Sequence, residues 1–345
     1  MTVEQVSERQ EEILDPDLEI CDPHHHLWHL DEHGSSELLR SIKTRRYLLP
    51  ELLEDLEAGH NIVSTVFLDA RAFYRASGPA ALAPVGETEV VNGVAAMAAS
   101  GRYGDRRICA GIVGRAYLAD GDAVTETLAA HVAAGGGRFR GIRLSASLDP
   151  TGSAPKLAVE PPEHLYTLPA FRQGFARLRE FDLSFDAWLY HPQLPDLIAL
   201  ARSFPDQPIV LDHVGTPIGI GAYAGKRAEV FETWRRSIRE LATCPNVSIK
   251  LGGLGMSICG FDYGDVPLSS EILADTWRPY IETAIEAFGV ERSMFESNYP
   301  VDGFTCSYRM LWNALKRVAG SASADEKGWL FRRTAERFYR IEPAG

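Results

Sequence analysis

Short runs of apolar and β-branched residues recur along the chain, each bounded by Gly, Pro or charged residues and separated from the next by a helix-length stretch. Eight are readable, at 18–23, 61–68, 107–113, 140–145, 183–189, 208–213, 246–251 and 293–297. Helical patterns lie between them at 87–99, 122–134, 170–181, 193–203, 227–243, 271–288 and 304–319. A last one, 325–338, opens on Asp325 and Glu326 and ends basic, as the helix dipole favours. Alternation of this kind implies a parallel sheet with right-handed crossovers. Doubly wound sheets share it, and the count of eight selects a single (β/α)8 TIM barrel, expected over 18–340 behind an N-terminal tail, 1–17.

In such a barrel, chemistry sits at the C-terminal ends of the strands. Polar residues collect at those positions: His24 and His26 end the first run and Asp69 the second, while Arg115 follows the third. Arg143 lies in the fourth, His191 follows the fifth, Asp212 and His213 end the sixth, Lys250 the seventh, and Glu296 and Asn298 the eighth. The loops after strands 4 and 7, residues 145–168 and 252–270, are long enough to act as lids over that face. Gly252-Gly253-Leu254-Gly255 lacks the lysine and spacing of a phosphate cradle and reads as flexible lid glycine.

Composition narrows the partners. A formal net charge of -12 opposes binding to nucleic acid or anionic lipid, which need clustered Lys and Arg. The five cysteines are scattered with no C-x-x-C pair, against a disulfide frame or a Cys-rich zinc site. The acidic start lacks the apolar core of a signal peptide, and no apolar run approaches a membrane span, so a cytoplasmic enzyme is expected. Its partner would be a small molecule, anionic or aromatic; a homo-oligomer is compatible with the sequence.

The segment Asp22-Pro23-His24-His25-His26-Leu27-Trp28 carries the most chemistry. On an extended strand, side chains two apart share a face, so His24 and His26 can converge on one ion while His25 points elsewhere. Two imidazoles begin a zinc or manganese site, although a histidine-rich polar turn has the same composition. Arg143 and Lys250 could hold a substrate carboxylate, or form internal salt bridges with Asp69 or Asp212. Tyr47, Trp28, Tyr190 and Tyr299 could wall a flat ligand or simply pack.

These motifs in order, Asp22-x-His24-x-His26, His191, Leu211-Asp212-His213-Val214-Gly215 and Met294-Phe295-Glu296-Ser297-Asn298-Tyr299-Pro300, resemble the amidohydrolase-2 family of predicted metal-dependent barrel hydrolases. The resemblance spans about residues 18–340. It implies one divalent metal, zinc or manganese, or none in some lactonase members, and activity on lactones, related esters and amides, or aromatic carboxylates. Carried over by position, His24, His26 and His191 match the metal ligands and His213 the sixth-strand histidine. The family's eighth-strand pattern is usually Gly-Ser-Asp-Trp-Pro, and Asn298 stands at its Asp. An amide cannot serve as a base at neutral pH. Glu296, where the common pattern has Gly, is therefore expected to reach the metal or the attacking water, with Asp302 in reserve; otherwise Glu296 pairs with Arg143 or Lys250 inside the barrel. The reading is a metal-dependent lactonase. Its alternatives are an aromatic-acid decarboxylase, whose first strand tends to begin with Glu rather than Asp22, and a non-catalytic ligand-binding barrel.

Overall fold

The computed structural model describes residues 11–30, 44–155, 159–264 and 267–342. Eight parallel strands are hydrogen-bonded in chain order: β1 (Glu19–His25), β2 (Asn61–Leu68), β3 (Arg107–Gly114), β4 (Phe139–Ser145), β5 (Ser184–Trp188), β6 (Ile209–Leu211), β7 (Val247–Leu251) and β8 (Ser293–Phe295). Each coincides with one of the eight apolar runs, and the architecture is the (β/α)8 barrel. Between β8 and β1 the cylinder closes through one bridge, His25 with Tyr299, and the His26 N–H to Tyr299 carbonyl bond of 2.8 Å. Asp22 seals the seam beneath, accepting from Ser297 N at 3.0 Å, Ser297 Oγ at 2.6 Å and Tyr308 OH at 3.0 Å.

The helices are α1 (Leu49–Leu56), α2 (Val85–Ala98), α3 (Val124–Ala134), α4 (Pro169–Ala176), α5 (Leu194–Ser203), α6 (Arg227–Leu241), α7 (Ser270–Phe288), α8 (Tyr308–Val318), α9 (Ala324–Gly328) and α10 (Thr334–Phe338). The sequence pattern does not anticipate α1. Its start is nonetheless built conventionally: Pro50 stands in the first turn and Glu51 reaches back to accept the Leu48 N–H at 2.9 Å. The predicted helix 304–319 begins later, at Tyr308 behind the Ser307 cap, and 325–338 is split by a π-turn, Trp329–Arg333.

Strand alternation divides the core into two shells. Outward-facing Phe185, Ile209, Leu211, Ile249 and Phe295 pack under the helices, whereas Cys21, Val66, Leu68, Val210 and Met294 fill the barrel interior with Tyr339 and Ile341 closing its floor. The inward set continues upward in polar residues, which is where the site begins. Residues 11–17, expected as tail, are tied to the barrel: Glu11 accepts from Ser270 N at 2.7 Å, and Lys316 donates to the Leu14 and Asp15 carbonyls. Among the described residues no helix is long and apolar enough to cross a membrane.

Candidate active site

His24 and His26 do share a face, with ring centroids 5.0 Å apart, and His25 turns away to Thr65 Oγ1 at 2.9 Å. Strict alternation from the inward Cys21 would have sent His24 outward; a register shift between Asp22 and His25 resets the strand. On β6, Val210 and Asp212 follow the inward parity. His213 would then face out, but a left-handed backbone (φ 56°, followed by φ 46° at Val214) swings it inward beside Asp212. Trp234 of α6 fixes that turn by donating to the Val214 carbonyl at 2.6 Å.

Glu296 continues the inward parity of Met294 and joins the two imidazoles. Its Oε1 accepts from His213 N at 3.0 Å and lies 2.7 Å from His213 Nδ1; its Oε2 lies 2.7 Å from His24 Nδ1. Donor-only groups face both His24 nitrogens, Arg143 Nη1 at 3.4 Å from Nε2 and Lys250 Nζ at 3.3 Å from Nδ1, and the much shorter 2.7 Å contact to Glu296 Oε2 places the His24 proton on Nδ1. His26 Nδ1 lies 2.8 Å from the Leu68 carbonyl, which likewise places its proton there. Three imidazoles are thus held with Nδ1 as donor and Nε2 as lone pair, the arrangement in which histidine binds metal.

Among the described residues, His24, Asp212 and His213 form the group whose ligand atoms lie within 4.8 Å of one another. Asp212 Oδ2 is buried without a donor, while Oδ1 meets the Lys250 ammonium at 3.0 Å and Glu296 Oε2 meets His24 Nδ1 at 2.7 Å. A buried carboxylate oxygen without a donor favours a cation, and a nitrogen and oxygen donor set suits zinc or manganese. The residues therefore fit a divalent ion. Burial pushes the Glu296 carboxyl well above its ordinary range, against the pull of Lys250 and with Asp212 adding to the push. Burial, reinforced by Lys250, holds His24 well below the usual histidine range.

The other expected residues fall in different places. His191 is not in this group; the Ile218 N–H donates to its Nδ1 at 3.2 Å, which places its proton on Nε2. Lys250, fully buried, ion-pairs with Asp186 at 2.8 Å and Asp212 at 3.0 Å. Its internal salt bridge is thus formed with Asp212 and with an unforeseen partner. Arg143 donates to the Asp69 backbone carbonyl rather than to its carboxylate, and lies over Trp188 at 5.9 Å. Asn298 donates to Asp302 Oδ1 at 2.8 Å, and the Gly255 N–H donates to Oδ2 at 3.1 Å. Burial pushes Asp302 up to about 8.

Of the aromatics, Trp28 stacks on His26 at 5.6 Å, while Tyr47 donates to Asp55 at 2.7 Å and lines a separate acidic pocket of about 360 Å³. Tyr190 packs edge-on against Trp188 and lines a pocket of about 250 Å³ beside the loop after β4. The glycines after β7 correct the expectation of a flexible lid. A Cβ on Gly252 would meet Glu296 Cγ at 2.5 Å, one on Gly253 the His213 side chain at 2.5 Å, and one on Gly255 the Asp302 carboxylate at 3.0 Å. They are small because site residues press on them.

The chain belongs to the amidohydrolase family, whose model matches residues 21–341. It is 36% identical to the uncharacterized protein y4mH of Sinorhizobium fredii over 335 residues, covering 94% of this chain and 99% of that one. To the L-fucono-1,5-lactonase of Burkholderia multivorans it is 33% identical over 176 residues, covering 50% of this chain and 57% of the lactonase. Among solved structures, an amidohydrolase from Burkholderia multivorans with bound zinc superposes with a TM-score of 0.72 at 25% identity, covering 94% of this chain and 99% of that one.

Proposed function

We propose that the protein hydrolyses a lactone or a related small carboxylic ester. The observation that carries the reading is the Glu296 carboxylate holding the His24 and His213 imidazoles in one orientation beside Asp212, whose buried Oδ2 has no donor. The half-length match to a lactonase and the zinc-bound structural relative support it. A divalent ion held by His24, Asp212 and His213 would supply Lewis acidity toward the carbonyl and the attacking water. Arg143, anchored on the Asp69 carbonyl and on the Trp188 face, orients the substrate carbonyl. Glu296 preserves the imidazole tautomers through the cycle. Asp302, pushed up to about 8, keeps its proton at neutral pH, gives it to the ring oxygen as the ester bond breaks, and is reprotonated by the proton that the attacking water releases.

The test is a panel of sugar-derived and simple lactones assayed by acid release, with protein whose metal content has been measured. Ring opening, lost on chelation and restored by zinc or manganese, is the expected result. A protein with full metal that opens no lactone, or that releases carbon dioxide from a hydroxybenzoate, rejects the reading. Activity indifferent to chelators removes the ion from it and leaves the hydrolysis.

A further inference from the structure

Lys250 is a buried cation of the barrel interior that the proposed reaction does not use, and its position is unusual. β7 points it inward, fully buried, with Nζ 2.8 Å from Asp186, 3.0 Å from Asp212 and 3.3 Å from His24 Nδ1. Two of those neighbours, His24 and Asp212, also belong to the candidate metal group. Asp212 Oδ1 is engaged by Lys250 while Oδ2 has no donor, so the carboxylate is shared between the ammonium and an oxygen left open to an ion. Asp186, Asp212 and Glu296 set three carboxyls against the two cations Lys250 and Arg143. In a low-dielectric interior a fixed ammonium this close to a ligand carboxylate repels an incoming divalent ion strongly.

We propose that Lys250 is a built-in cation that competes with the divalent ion for Asp212, so that the barrel holds its ion loosely. The proposal rests on the reading of His24, Asp212 and His213 as the ion's ligands, but not on the identity of the substrate. Asp186 is part of the device: it gives the ammonium a second partner deeper in the barrel, and the Tyr339 hydroxyl donates to it from the floor. Lys250 is thereby held in place whether or not Asp212 is shared.

The experiment is calorimetric titration of chelator-stripped protein with zinc and with manganese, with circular dichroism to confirm folding. Lys250→Met should bind zinc about 100-fold or more tightly than the native protein, one ion per chain. Lys250→Arg, which keeps the charge, should stay near native affinity. Because Lys250→Met leaves two buried carboxylates without their cation and could fail to fold, the double variant Lys250→Met/Asp186→Asn removes one charge of each sign and should show the same tightening. Met variants within threefold of native affinity, or an Arg variant as tight as the Met variant, would overturn the proposal. If native protein binds no zinc, appearance of binding in the Met variants still supports it, and binding in none overturns it while leaving metal-independent lactone hydrolysis open to its own assay.

Discussion

Glu296 holds two imidazoles on one carboxylate, and the consequences of removing its charge can be stated. Glu296→Gln offers an amide whose NH2 would meet an imidazole N–H, so at least one ring must flip or change tautomer. Losses of 10–100-fold are typical when such an outer partner of a metal-binding histidine is replaced. Here two histidines depend on it, and we expect kcat to fall about 100-fold or more with the fold retained by circular dichroism; near-native kcat would remove Glu296 from the mechanism. At this scale the sequence is legible wherever strand parity holds. His24 with His26, and Glu296 two residues after the inward Met294, follow from a period of two. So does Asp186 in Ser184-Phe185-Asp186-Ala187-Trp188, whose apolar neighbours face outward, but attention to strand ends alone passes it over. His213 beside Asp212 is not readable from parity, because a left-handed turn breaks the alternation there.

At the scale of elements, the Gly252–Gly255 turn shows why composition alone misleads. Glycine signals either freedom or crowding, and only the neighbours tell which. Two glycines of the same loop separate the two cases: Gly253 (φ 68°) presses on the His213 ring, while among the described residues a Cβ added at Gly264 (φ 72°) would meet nothing within 4 Å. Gly264→Ala should cost only the left-handed backbone penalty, about 1 kcal/mol. Gly253→Ala carries that penalty and displaces His213 as well, so it should lower both Tm and kcat clearly below the Gly264 variant; equal effects would show that the contact does not matter. The helix α1 escapes the sequence reading for a related reason: it is two turns long and carries its signal in Pro50 and Glu51 rather than in periodicity. The eight strands, by contrast, are buried on both faces and announce themselves as apolar runs.

For the whole molecule, the number of buried histidines sets its response to acid. Burial lowers His25, His60, His131 and His191 to about 4. Each is neutral in the fold and takes a proton near 6.5 once unfolded, so its contribution to stability is intact above 6.5 and is lost as pH falls toward 4. Asp22 and Asp55, raised by burial to about 6, act in the opposite sense, which makes a comparison of variants cleaner than the native curve alone. His131 is bonded to Thr88 Oγ1 at 2.8 Å and to the Arg115 carbonyl at 2.9 Å. His131→Asn should be less stable than native protein at pH 7.5, and the gap should narrow by on the order of 1–2 kcal/mol by pH 5. Urea midpoints at the two pH values measure it, and a constant gap would mean that His131 does not titrate with unfolding.

The hydroxyl of Tyr339 touches Asp186, and through Asp186 the Lys250 ammonium. The plug at the bottom of the cylinder is therefore in electrical contact with the candidate site at the top. Changes at Tyr339, just past the last helix, will be felt as changes in the charge seen by the histidines, so engineering at that end of the molecule is engineering of the candidate site.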